Sequence, residues 1–259
     1  MEVSEESTAT AHIPRVLTGE MKNALDSLYN GGLTGQRIQT VLTPQAILEP
    51  LRTVFGGPIG MDPVWAPGSL TEPLVKVELP WDVLWARVEE LAGDLAYPNI
   101  ITSDPGAPEK AIQLLRSEIR TKEAGPLAVA LAKLVKAQIR AEYGSLSGHM
   151  ADWPDRTYCN PPFGNQGPEV LLADFKDFCA KYAKTQTEVA LLSPARSHRK
   201  WWRKNVMMAS TAVVYLNPLR FEGFPQTFPA PLVLAYRGPH AKVELLAREF
   251  AHMGDTVEM

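Results

Sequence analysis

At 259 residues, with 45% apolar and 21% charged positions, the chain has the composition of an ordinary globular protein built around one sizeable core. A formal charge of -3 and a pI of about 6.0 exclude a general polycationic coat for nucleic acid, though not a local basic surface. No apolar run reaches the roughly 18 to 20 residues that cross a bilayer, and the opening "MEVSEESTATAHIPR" is acidic where a secretory signal is basic and then apolar, so a cytoplasmic protein with no membrane partner is expected.

Residues 1–20, rich in Glu, Ser and Thr, read as a flexible arm ahead of a single domain over 21–259. "EMKNALDSLYNGG" suggests a short helix ended by Gly31 and Gly32. "TPQAILEPLRTVFGG" predicts a second, with Thr43 as N-cap, Pro44 at the first helical position, and Ile47, Leu48, Leu51 and Phe55 on one face. "PIGMDPVWAPGSL" then reads as a short strand running into Asp62 and Pro63 and a loop that carries Gly68. The clearest amphipathic helix is "PWDVLWARVEELAGDLAYP", followed by a candidate strand, "NIITSD", that ends in Asp104.

From 108 to 143 the alternation breaks. "PEKAIQLLRSEIRTKEAG" and "PLAVALAKLVKAQIRAEYG" are two consecutive helices, each with Pro near its start and Gly at its end, and they predict a helical insertion over about 105–150. The alternation resumes with strand "RTYC", helix "PEVLLADFKDFCAKYAK", strand "TEVALLSPA", helix "SHRKWWRKNVMMA", strand "TAVVYLN", a proline-rich loop, strand "PLVLAYR" and a closing helix near 240–251. This pattern predicts an α/β protein with a doubly wound, mostly parallel sheet and helices on both faces, in which ligands sit at the carboxyl ends of the strands.

Just after one of those strands stands Asn160-Pro161-Pro162-Phe163. Such a stretch is either a tight surface turn or one wall of a pocket. In a pocket, the Asn160 side-chain oxygen and a proline-fixed backbone carbonyl are two rigid acceptors suited to a planar NH2 group, and Phe163 offers a face to a flat heterocycle. Asp62, at the end of an earlier strand, has the chemistry to bind a ribose hydroxyl or an amine, and Gly68 permits close backbone approach. The Gly-Lys-Ser/Thr ending of a phosphate loop is missing. In "ARSHRKWWRKN", the cations Arg196, His198, Arg199, Lys200, Arg203 and Lys204 surround Trp201 and Trp202. That is either a solvated basic helix face or a polyanion site, and its presence in an acidic chain favours the second. The two cysteines, Cys159 and Cys179, form no disulfide framework, and five scattered histidines show no zinc spacing, so no metal is expected.

The order of these pieces resembles the phage-type DNA adenine-N6 methyltransferases, the Dam-like phage family within the S-adenosylmethionine-dependent amino-methyltransferases. The resemblance covers roughly residues 40–65 and 150–237, and its most specific part is "WPDRTYCNPPFGN". "LTPQAILEPL" is similar to the family's Thr-Pro segment, "GMDPVWAPGS" to its Asp-Pro cofactor loop, "EVALLSPARSHRKWW" to a Leu-Leu-Pro-Ala-Arg segment, and "LRFEGFPQTFPAPLVLAYR" to its closing hairpin. Two features depart from the pattern: Ala66 replaces the first glycine of the cofactor loop, and the helices at 108–143 have no counterpart. They are either a target-recognition element or a packing or dimerisation insert.

The resemblance implies a Rossmann-like methyltransferase fold that binds S-adenosylmethionine and double-stranded DNA, with a phage-encoded enzyme acting in the host cytoplasm. It implies methyl transfer to the N6 of a flipped-out adenine at Asn160, Pro161, Pro162 and Phe163, with Thr43, Pro44, Asp62, Pro63, Gly68 and Asp104 on the cofactor side. Arg196 and the cations after it would meet the DNA backbone. The same geometry also serves cytosine N4, RNA adenine and the amide of protein glutamine, and a degenerate member would be a noncatalytic DNA-binding or assembly module. Cytosine-C5 methylation uses a cysteine in a Pro-Cys context that is absent at Cys159.

Overall fold

The computed structural model describes residues 42–66, 68–96, 100, 103–116, 118–163, 168–222 and 226–259, and its seven strands form one mixed sheet. The arm over 1–20 and the helix expected over 20–32 lie outside the described residues. The strands are β1 (Met61–Asp62), β2 (Val75–Lys76), β3 (Thr157–Cys159), β4 (Val189–Pro194), β5 (Ala212–Leu216), β6 (Leu232–Arg237) and β7 (Gly254–Glu258), in the order β2-β1-β3-β4-β6-β5-β7. Among the described residues there are eight α-helices: α1 (Gln45–Phe55), α2 (Trp81–Ala96), α3 (Ala107–Leu115), α4 (Thr121–Ala124), α5 (Pro126–Tyr143), α6 (Phe175–Lys184), α7 (Lys200–Asn205) and α8 (Val243–Phe250).

β1, β3 and β4 run parallel, as the helix–strand alternation predicts, and β2 also runs parallel beside β1, while the pairings of β6 with β4, β6 with β5 and β5 with β7 are antiparallel. The register shows which helices cover which face, because side chains alternate along a strand and paired residues point the same way. Tyr158, Ala190 and Tyr236 share one face; Cys159, Leu191 and Ala235 share the other. The first face meets α1 and α8: Thr43, just ahead of α1, bonds Tyr158, and Lys242, just ahead of α8, bonds Glu188 and the Phe55 carbonyl. The second meets α6 and α7, since Trp202 Nε1 donates to Ser193 Oγ at 2.8 Å and Arg237 donates to the Ala183 carbonyl. Covered on both sides, β3 and β4 are buried along their whole length, which is why their sequences are nearly unbroken apolar runs.

Helix α1 forms for the reason its spacing predicts: Ile47, Leu48, Leu51, Val54 and Phe55 are buried on one face, and Gly56 ends it in the left-handed conformation at φ 72°. Helix α6 starts later than expected, at Phe175, because Asp174 and Asp177 close a reciprocal capping box there. The helical layer is larger than the predicted insertion. Helices α2, α3, α4 and α5 pack on a core of their own that includes Leu84, Val88, Leu131, Val135 and Ile139, so the layer begins at Trp81 rather than about 105. Of the segment 99–104, where a strand was expected, the described residues Ile100 and Ser103 are helical, and the Asp104 amide donates to the Ile100 carbonyl as in a helix turn. β2, an exposed edge strand of two residues, and β7 at the far edge were not expected. No helix among the described residues is long and apolar enough to cross a membrane.

Candidate functional site

Strand order locates the site before any side chain is considered. The chain leaves β1 for β2 on one side, then returns to β3 on the other side of β1 and continues to β4. Between β1 and β3 the winding reverses, and the crevice outside the carboxyl ends of two such strands is where open α/β sheets bind ligands. Asp62 ends β1, and Asn160 follows β3.

Asn160 lies two residues beyond Tyr158, on the face that α1 covers. Its Nδ2 donates to Thr43 Oγ1 at 3.2 Å, and the same oxygen lies 2.9 Å from the Tyr158 hydroxyl. Thr43 is therefore not the helix cap that its position suggested: Pro44 occupies that place, extended at ψ 152°, with no side-chain cap. The Thr43 hydroxyl, 3% exposed, serves the strand end instead. Tyr158 is a site residue that the sequence reading missed, although the two-residue strand period was a signal that could have found it.

Asp62 is 5% exposed and both of its oxygens are engaged: Oδ1 accepts from the Val64 amide at 3.0 Å and Oδ2 from Thr71 Oγ1 at 2.8 Å. It folds the 63–71 loop back over its own strand end. Arg52 of α1 holds the same loop through the Leu70 and Thr71 carbonyls. Burial pushes the Asp62 carboxyl up to about 6, against the opposing bonds from Val64 and Thr71. Gly68 is needed for its backbone, at φ 87°, rather than for close approach, since an added Cβ would meet nothing nearer than Leu42 at 3.8 Å. Pro63 meets the segment that leaves the helical layer: a Cβ on Gly148 would lie 1.7 Å from the Pro63 carbonyl oxygen, so only glycine fits there.

Phe163, only 8% exposed, does not present an open face. Its ring meets Phe175 and Phe228 edge-on at 5.8 and 5.7 Å, because the apolar side of α6 and the proline-rich loop close around it. Arg196, which follows β4, turns inward to the same cluster. Its Nη2 donates to the Phe163 carbonyl at 2.7 Å and its guanidinium lies 5.2 Å from the Phe175 ring centre. His198, Arg199, Lys200, Arg203 and Lys204 are exposed, and among the described residues none of them is in an ion pair, while Trp202 is buried as their anchor. Asp104 stands apart from the crevice, accepting from the Gly106 amide and facing Lys110 at 3.6 Å near the start of α3.

Cys159 is fully buried beside the motif on the α6 side, and burial pushes its thiol well above the ordinary range, so it is no thiolate nucleophile. A cleft of about 730 Å³ opens at the opposite, amino edge of the parallel strands, lined by Asp155, Arg156, Glu188, Thr211 and Arg237. Two of its charged groups are engaged within the fold: Glu188 accepts from Lys242 and Tyr236, and Arg237 donates to the Ala183 and Ala209 carbonyls. It ties strand starts to α8. Comparison with protein-family models, with curated proteins and with solved structures returned no match.

Proposed function

We propose that this chain transfers a methyl group from S-adenosylmethionine to the exocyclic N6 of adenine in double-stranded DNA, on a Rossmann-like methyltransferase scaffold. The observation that supports the reading most is the placement of Asn160-Pro161-Pro162-Phe163 at the end of β3, across the winding-reversal crevice from Asp62. The residues around that crevice fit such a cofactor: a buried carboxylate stands at the end of β1, and a compact loop is bonded to α1. When bound, the cofactor supplies a methyl group on a positively charged sulfur. An ionised Asp62 favours a cationic ligand near it.

The chain's own task is to make a poor nucleophile attack. An exocyclic amine shares its lone pair with the ring, and acceptors on its two hydrogens return electron density to nitrogen and fix its direction. Asn160 Oδ1 and the Pro161 carbonyl are the acceptors in this reading. Phe163, clamped by Arg196, backs the pocket wall against which a flipped base lies. The exposed Arg199, Lys200, Arg203 and Lys204 follow β4 at the same sheet edge and meet phosphates in this reading, which favours nucleic acid over a protein acceptor. The helical layer touches the segments on either side of β3 through Gly148 and through Arg140, which donates to the Val170 and Leu171 carbonyls, and in this reading it is the element that reads the target.

Asn160→Ala tests the assignment. Cofactor binding by calorimetry should persist while transfer to DNA falls by at least about a hundredfold; transfer at the native rate would remove Asn160 from the chemistry. Two observations favour a second reading, a noncatalytic DNA-binding module: Asp62 is already bonded within its loop, and Ala66 stands where the resembling family has a glycine. An absence of cofactor binding would select it.

A further inference from the structure

We propose that Thr43 is a positioning residue that decides which end of the Asn160 amide faces the crevice, an inference that rests on the methyl-transfer reading. The two ends of a carboxamide are nearly the same size, and a half-turn about its last bond exchanges an acceptor for a donor. A site that grips the hydrogens of an amine needs the oxygen outward. The turned amide would set N–H against N–H.

The choice is made by what stands behind the amide. Behind Asn160 is Thr43 Oγ1, 3.2 Å from Nδ2 and buried with its residue. A hydroxyl alone does not discriminate, because it accepts from a nitrogen or donates to an oxygen equally well. Here the hydroxyl accepts: Nδ2 is the end of the amide held against Thr43 Oγ1, and the Tyr158 hydroxyl, 2.9 Å from the same oxygen, gives the Thr43 proton an acceptor other than Asn160. The nitrogen then takes the inner place and the oxygen the outer one.

Sequence and fold bring the three groups together. Tyr158 and Asn160 share a face by the two-residue period, and Thr43 is carried over that face by α1, whose Ile47 and Leu48 are fully buried. Burial also pushes the Tyr158 phenol well above its ordinary value, so it stays a neutral hydroxyl in any assay buffer.

Thr43→Val keeps the side-chain shape and removes the hydroxyl, while Thr43→Ser keeps the hydroxyl. In Thr43→Val, kcat for methyl transfer to DNA should fall about tenfold or more, with KM for DNA and the calorimetric Kd for cofactor within about twofold, and Thr43→Ser should restore kcat. An unchanged kcat in Thr43→Val overturns the proposal, as does a loss that appears in cofactor affinity instead. A second readout needs no turnover. In the nitrogen-15 NMR spectrum of the wild type, the Asn160 side-chain amide should show cross-relaxation to the Thr43 methyl group and slowed hydrogen exchange, and the slowing should vanish in Thr43→Val. Its absence from the wild type overturns the inference, active protein or not. A wild type that shows both signals but labels no acceptor upholds the orientation and sinks the functional reading.

Discussion

Asp62 carries two opposing demands. Its carboxylate shapes the loop over β1 by accepting from Val64 and Thr71, yet burial holds its pKa at about 6, above the ordinary 3.8. A folded-state value above the unfolded one means that the native protein holds this proton more tightly. The stabilisation is complete below the unfolded value and is lost as pH rises through about 6, leaving a buried charge that costs about 3 kcal/mol. Thermal denaturation across pH 4 to 7 should therefore show a decline in stability that Asp62→Asn flattens; superimposable curves for the two proteins would contradict it. Cofactor affinity in the proposed reaction should fall as pH drops below about 6, because protonation removes the charge that favours a cationic ligand. At this scale the sequence was legible in placement, since Asp62 ends β1 and Asn160 follows β3 as their flanking residues suggested. It was not legible for Thr43, since a threonine before a proline and an apolar run carries the signature of a cap, and only the tertiary pairing with Tyr158 gives its hydroxyl another use.

At the scale of elements, the segment from Ser197 to Asn205 divides its labour by side. Trp202 reaches across to Ser193 and is fully buried, while Arg199, Lys200, Arg203 and Lys204 face solvent. Like charges in a short row repel one another unless a polyanion lies against them, and a polyanion that does so releases counterions. Affinity for DNA should fall with salt, and Arg203→Ala and Lys204→Ala should each lower the slope of log K against log salt by about 1. Fluorescence anisotropy from about 50 to 200 mM salt reads this directly; an unchanged slope in both variants would place the DNA elsewhere. Helix α7 is shorter than its sequence suggested because the chain turns at Val206 into a single turn over Met207–Ala209. Helix α5 was legible because apolar spacing and end signals agreed, while α1 and α6 were legible in their spacing but not in their starts. Ile100 and Ser103 were misread, as two isoleucines and a threonine in their segment favour a strand while these two described residues are helical.

Over the whole molecule, the sheet has a parallel half that carries the candidate site and an antiparallel half that closes it. Crossovers were readable as alternation, but strand order was not, because nothing in local sequence says that β6 pairs between β4 and β5. Nor was the extent of the helical layer, since α2 has the amphipathic pattern of any crossover helix and only its packing on α5 assigns it to the second core. The two cores meet near the crevice, with Leu171 and Leu172 from the segment after Phe163 completing the helical one. The proposed reaction takes place at that crevice. Incubation of the purified chain with S-adenosylmethionine labelled in its methyl group and with unmethylated double-stranded DNA, followed by digestion and nucleoside chromatography, tests it most directly. Label in the N6-methyl derivative of deoxyadenosine is the result predicted; a protein that binds the cofactor and leaves the deoxyadenosine unlabelled would contradict it.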